Sequence, residues 1–280
     1  MSYPPRVVTI AGSAAGGSAG IQADLKTFQE LDVYGMSVIS AIVGKHPVTG
    51  NNVHSQTVET IEAQFATLMH QVGADGLKTG MLFTKEIIEL TVRMINEHQF
   101  EFVVVDPVMI GKMNSKLLRD DAVAALSKEL IPCATIITPN VPEASLLLGG
   151  KKLDTVEDLQ EAAVELYALG PSNVLVKGGR LKGPAVDVLY DGETITTLKA
   201  PRIDTTNTSG AGCTYSAAIA AYLSKGKPVG KAVQSAKSFV TTAIEHSFSY
   251  TDIVGPTYHA AERKYGEAHP IMVETISMPK

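Results

Sequence analysis

Apolar residues along this chain fall into short runs that alternate with longer stretches of helical spacing. RVVTIAG (residues 6–12) reads as a first strand, Ile21–Leu31 as the helix after it, and MSVISAIV (36–43) as a second strand. Between residues 59 and 73, Ile61, Phe65, Leu68, Met69 and Val72 share one helical stripe. GLKTG (76–80), a helix over 84–98 and the run FVVVD (102–106) follow. FVVVD is apolar up to its last residue, as expected of a parallel strand covered on both faces. A helix near 120–130, the strand ATIITP (134–139), helices over 141–149 and 155–169, and NVLVKG (173–178) continue the alternation. The pattern predicts an α/β fold, a doubly wound, mainly parallel sheet between helical layers. At AVDVLYDGETITTLKA (185–200) the period shifts to two, which predicts a small β-hairpin around Asp191-Gly192. Helices over 211–225 and 228–246 close the pattern. No Pro-, Gly- or Ser-rich linker and no internal repeat divides the chain, so residues 1–280 are read as a single domain.

Composition narrows the function classes. Hydrophobic residues make up 45% and charged residues 19%, enough apolar material for a core and too little charge for a disordered chain. The net charge is −5 without any basic run, which argues against a nucleic-acid groove or a membrane-surface patch. No stretch of about 20 apolar residues suggests a membrane span, and the start MSYPPRVVTIAG lacks the features of a secretory leader. Cys133 and Cys213 are the two cysteines, with no CxxC spacing, so neither a disulfide framework nor a structural zinc site is expected. A reducing, cytoplasmic setting is the natural expectation.

In open α/β sheets ligands sit at the carboxyl ends of strands, which directs attention to the strand-ending turns. GSAAGGSAG (12–20) matches neither the dinucleotide fingerprint GxGxxG nor the P-loop GxxxxGK[ST], and it fits tight packing as well as ligand contact. GAGC (210–213) runs directly into a helix, whose free N–H groups and dipole make an anion hole. A thiol there, Cys213, is expected to ionise more readily than a free cysteine, although a small buried cap residue fits the same spacing. In TPNVPE (138–143), Asn140 and Glu143 stand three apart past a strand. They fit either a polar helix cap or a pair of oxygen ligands for hydrated Mg2+. Lys177 in VLVKGG (174–179) ends a strand where a cation can meet phosphates, and Asp106 in VDPVM (105–109) ends another.

Together with AGIQADLKTFQEL (19–31), KTGML (78–82), NTSGAGCTYSAA (207–218) and VGPTYH (254–259), these motifs resemble the ribokinase superfamily along nearly the whole chain. The resemblance is closest to the branch of hydroxymethylpyrimidine (phosphate) kinases and bacterial pyridoxal kinases. It implies a ribokinase-like fold, ATP and Mg2+ as cofactors, and phosphorylation of a hydroxymethyl group on a small heteroaromatic ring. By that resemblance Cys213 replaces the aspartate base common elsewhere in the superfamily, while Gly210, Ala211 and Gly212 form the anion hole. Asn140 and Glu143 act on Mg-ATP, Lys177 contacts the nucleotide phosphates, and Asp106 lies near the transferred group. Gly12, Ala19, Val43, Lys45, Met81 and Val108 hold the ring, and relatives of this kind imply a homodimer.

The chain departs from the branch at several positions. Ala14 stands where GSD or GTD is common, Ser209 where a histidine is usual, and Gly111 where some pyridoxal kinases carry a second cysteine. Lys45 stands where pyrimidine kinases place a glutamate. The last two departures weigh in different directions, and KTFQELDVYGM with the C-terminal FVTTAIEHSFSYTDIVGPTYH favours a B6 vitamer as substrate. The alternatives are a hydroxymethylpyrimidine kinase of thiamine synthesis and a catalytically weak homologue that binds a vitamin or nucleotide.

Overall fold

The computed structural model describes residues 3–46, 48–110, 118, 120–266 and 268–278. Ten strands form one sheet in the order β10-β9-β8-β7-β6-β5-β4-β1-β2-β3. Its parallel centre consists of β1 (Arg6–Ala14), β2 (Tyr34–His46), β4 (Gly76–Thr79), β5 (Phe102–Val105), β6 (Ile136–Ile137) and β7 (Val174–Lys177). β3 (Gly50–Ser55) adds an antiparallel edge to β2, while β8 (Ala185–Tyr190), β9 (Thr194–Ala200) and β10 (Met272–Ser277) extend the other side antiparallel. The predicted hairpin is β8–β9.

Strand residues alternate between two apolar layers because successive side chains point to opposite faces. Val8, Leu77, Val103 and Val105 face one core; Val7, Phe102, Val104 and Leu175 face the other. Over the first face lie α2 (Val58–Gln71), α3 (Lys85–Glu97), α4 (Asp120–Ala125), α5 (Val141–Leu147) and α6 (Val156–Tyr167). Over the second lie α1 (Ile21–Glu30), α7 (Ala211–Ser224) and α8 (Val229–Glu245), and a short α9 (Ala261–Tyr265) follows. Burial of one fully enclosed side chain such as Phe28 or Ile10 contributes about 1.5–3 kcal/mol. In α7 the residues Thr214–Ala221 are buried in succession, because α1, α8 and the sheet enclose it and its alanines allow close approach.

Three differences from the sequence expectations have physical causes. β2 runs on to His46, because the polar GNNVHS pairs back against it as β3, with Val43 opposite Val53. The helix expected near 120–130 is α-helical only to Ala125, then widens through Leu126–Leu130 and tightens through Ile131–Cys133, where Pro132 cannot continue the ladder. β10 has every residue exposed and gives no burial signal, yet it pairs along the whole of β9 from Met272–Lys199 to Ser277–Thr194. Among the described residues no helix is long and apolar enough to cross a membrane.

Candidate active site

The chain enters the sheet at β1, adds β2 and β3 on one side, and returns to place β4 on the other side of β1. That reversal opens a crevice at the carboxyl ends of β1 and β4, the favoured ligand position in such sheets. The candidate ring pocket lies there. A Cβ on Gly12 would come within 2.7 Å of Met81 Cε and 3.7 Å of Val43 Cγ2, so glycine is what lets these groups converge. Buried Ser40 donates to the Met81 carbonyl at 2.6 Å and fixes the turn after β4. The turn after β1 is ordered by Gln22, whose Oε1 accepts from Ala14 N (2.9 Å) and whose Nε2 donates to Ser13 Oγ (2.7 Å). Val108 is half-buried just past Asp106. The Lys45 side chain and Gly111 lie outside the described residues.

The second turn packs directly on the first. Gly210 caps α7 in the left-handed region (φ 82°), with no side chain satisfying the first N–H groups of the helix. A Cβ at Gly210 would lie 1.6 Å from the Ser18 carbonyl oxygen and 3.5 Å from Ala19 Cα, so only glycine fits. Ser209 Oγ and Ser18 Oγ are 2.9 Å apart, giving Ser209 a partner that ties the two glycine turns together. Behind the loop, Ser209 N donates to the Gly255 carbonyl and Thr257 N to the Ser209 carbonyl, Asn207 Oδ1 accepts from Gly255 N, and His259 Nε2 lies 3.0 Å from Thr214 Oγ1. The motif VGPTYH is therefore the clamp on GAGC.

His259 is 6% exposed. Burial, with Lys26 adding to it, pushes its pKa down to about 4. The unfolded ring titrates near 6.5, so its neutral folded form supports stability above that pH and loses it as the pH falls toward 4. The stability gap between the wild type and His259→Gln is expected to shrink by about 2 kcal/mol between pH 6.5 and 5 in urea unfolding. A gap that does not change with pH would show that the ring is not held neutral.

A polar cluster completes the site. Asp106, buried at the end of β5, accepts from Lys177 Nζ (3.0 Å) and Thr138 Oγ1 (3.2 Å) on one oxygen and from Ser216 Oγ (3.0 Å) on the other. Burial pulls the Lys177 ammonium toward neutrality, but the carboxylates of Asp106 and Glu143 outweigh it and hold its pKa above the ordinary value. Lys177 Nζ lies 3.5 Å from where a Cβ of Gly212 would be, so the cation stands beside the first turn of α7. Asn140 caps α5 in a reciprocal box: its side chain accepts from Glu143 N (3.0 Å), and Glu143 Oε2 accepts from Asn140 N (2.9 Å). Glu143 is buried, and its pKa is pushed up to about 7 by burial, with Lys177 opposing and Asp106 adding to it.

Cys213 reverses one expectation. Instead of falling at the helix mouth, its pKa is pushed up to about 11, because desolvation of the half-buried thiol outweighs the cation of Lys78. Asp24 and Asp106 add to the rise. The structure thus assembles Gly12, Val43 and Met81 in one group, Gly210 and Ala19 in a second, and Asp106, Lys177, Asn140, Glu143 and Gly212 in a third. Thr138, Ser216, Gln22, Lys78 and Asp24 are unassigned by the motifs. Only Ser216, one helical turn after Cys213, carried a spacing signal. An open groove of about 650 Å3, lined by Tyr3, Arg6, Tyr34, Asp75 and Glu101, lies at the amino ends of β1 and β2, away from this chemistry.

Proteins similar to this chain in sequence and fold are kinases. Residues 15–258 match the sequence profile of a family described as phosphomethylpyrimidine kinase. The chain is 50% identical to a pyridoxine kinase of Bacillus subtilis over 262 residues, covering 92% of this chain and 97% of that protein. A hydroxymethylpyrimidine/phosphomethylpyrimidine kinase of the same organism is 42% identical, with 92% and 96% covered. The structure of a Staphylococcus aureus pyridoxal kinase in complex with AMP-PCP and pyridoxal superposes with a TM-score of 0.90. It shares 39% identity, over 99% of this chain and 100% of that one.

Proposed function

This chain belongs to the phosphomethylpyrimidine kinase family, and from that premise we propose that it transfers the γ-phosphate of ATP to the hydroxymethyl group of a B6 vitamer. The observation that carries the reading is the convergence, at the switch point of the sheet, of an uncapped helix N-terminus, the Lys177–Asp106 pair and an apolar pocket. Phosphoryl transfer needs little covalent help from the protein, so positioning and charge stabilisation dominate.

In this reading the N–H groups opening α7 and the Lys177 ammonium receive the charge on the transferring group, and Asp106 keeps Lys177 aimed at it. Gly12, Val43, Met81 and Val108 hold the ring, with Ala19 at the junction of the two turns. Asn140 and Glu143 fit a hydrated Mg2+, since Glu143 is a buried carboxyl raised toward neutrality and a nearby cation would restore its charge. When bound, Mg2+ would neutralise nucleotide phosphate charge. Lys177→Met is expected to lower kcat/KM about 10²–10³-fold, read from steady-state kinetics at saturating nucleotide.

The choice of a B6 vitamer is supported by the 50% identity to a pyridoxine kinase. The 42% identity to a pyrimidine kinase, together with the family profile, supports hydroxymethylpyrimidine phosphorylation as the second reading. A panel of pyridoxal, pyridoxine and hydroxymethylpyrimidine at matched Mg-ATP tests both. Turnover of a B6 vitamer well above that of the pyrimidine is expected, and the reverse order would transfer the assignment. Binding without turnover of any of the three would leave a vitamin-binding homologue.

A further inference from the structure

Asp106 is held by more donors than an ion pair needs, and one of them comes from the helix that opens at Gly210. Its carboxylate is buried at the end of β5. One oxygen takes Lys177 Nζ from β7 at 3.0 Å and Thr138 Oγ1, just past β6, at 3.2 Å. The other takes Ser216 Oγ from α7 at 3.0 Å. Ser216 is itself fully buried, one turn after Gly212, on the helix whose opening N–H groups have no side-chain cap. Its hydroxyl has one proton and three acceptors in reach: the Asp106 carboxylate, the Gly212 carbonyl at 3.2 Å and the Cys213 carbonyl at 3.1 Å. A bond to a carboxylate is about twice as strong as one to a neutral carbonyl, so the proton goes to Asp106. The backbone under the carboxylate is fixed as well: Asp106 N donates to the Thr79 carbonyl at 3.1 Å, and Thr138 N to the Val105 carbonyl at 3.0 Å.

We propose that Ser216 is a positioning residue: by bonding Asp106 it sets the first turn of α7 and the Lys177 ammonium in one register, so that both address the same phosphoryl group. This rests on the reading of the site as a phosphoryl-transfer centre. An aspartate carboxyl turns easily about its last torsion. Lys177 and Thr138 hold one oxygen, and among the described residues Ser216 is the side-chain donor to the other. Without that donor the carboxylate is free to turn and to carry the lysine with it. Lys177 Nζ stands only 3.5 Å from where a Cβ of Gly212 would be, so a small turn changes how the cation faces the helix opening.

The test is a double-mutant cycle between Ser216→Ala and Lys177→Met, read in kcat with Mg-ATP and the best vitamin substrate both saturating. Ser216→Ala alone is expected to lower kcat about tenfold, with KM for the vitamin changed by less than about twofold. In the Lys177→Met background the same change is expected to cost less than about twofold, because no ammonium is left to aim. A serine that only packs α7 would cost the same factor in both backgrounds. Equal factors, or no loss in the single variant, would overturn the proposal. Shape is controlled by comparing Ser216→Thr with Ser216→Val, which match in volume and differ in the hydroxyl. Ser216→Thr is expected to be about fivefold the faster, and equal rates would again overturn the proposal. If the double variant fails to fold, this comparison decides alone. If the wild type phosphorylates no vitamin, the kinase reading fails, and the cycle is read instead in calorimetric affinity for Mg-AMP-PCP. There a loss of about fivefold confined to the background that keeps Lys177 is expected, and equal losses in both backgrounds would overturn the proposal. The two failures therefore remain distinct.

Discussion

Cys213→Ala is expected to lower kcat/KM about 10²–10⁴-fold while leaving ADP affinity within a few fold, the result that the proposed handling of the substrate hydroxyl by the thiol requires. The larger signature is the pH profile. With the thiol pushed up to about 11, only a small fraction is ionised at neutral pH. If the thiolate accepts the hydroxyl proton, the wild-type rate climbs about tenfold per pH unit between 7 and 10. That slope disappears in Cys213→Ala, whose residual rate reflects the anion hole and Lys177 alone. A flat wild-type profile would instead assign the thiol to orienting the hydroxyl in its neutral form. Steady-state kinetics across pH for both proteins separate the two outcomes.

Lys237→Met is expected to destabilise the fold by about 3–5 kcal/mol. Lys237 in α8 is buried and paired at 2.5 Å with Oδ2 of Asp187 in β8, while Oδ1 of that carboxylate accepts from Gly178 N at 3.0 Å. Truncating the lysine leaves a buried carboxylate with one backbone donor, so the cost is that of an uncompensated charge and exceeds the worth of the pair. For a chain of this length the unfolding midpoint is expected to fall by roughly 5–9 °C in calorimetry. Gly178 lies next to Lys177, so nucleotide affinity should weaken along with stability. A shift under about 2 °C would mean that Asp187 has found a replacement partner or a proton. Asp187→Leu/Lys237→Met, which removes both charges, should recover much of the loss.

How far the sequence can be read follows the range of each signal. Period-two and period-3.6 patterns exist wherever one face is buried, so the parallel strands, the hairpin at Asp191-Gly192 and α7 were legible from residues alone. β3 and β10 were not, because GNNVHS is polar and MVETIS is exposed at every position, and each becomes a strand only by pairing with a neighbour. The motifs likewise named Cys213, Lys177, Asp106, Asn140 and Glu143, since glycine turns and strand ends mark themselves locally.

What the sequence determined by itself was the fold class and the residues that end its strands. Tertiary structure decided their ionisation and their partners, because both depend on groups far apart in the chain. Asp106 is 71 positions from Lys177 and 110 from Ser216, and only folding brings its carboxylate to both. A helix mouth predicts an acidic cysteine in water; desolvation, which leaves no mark in the sequence, reverses the sign.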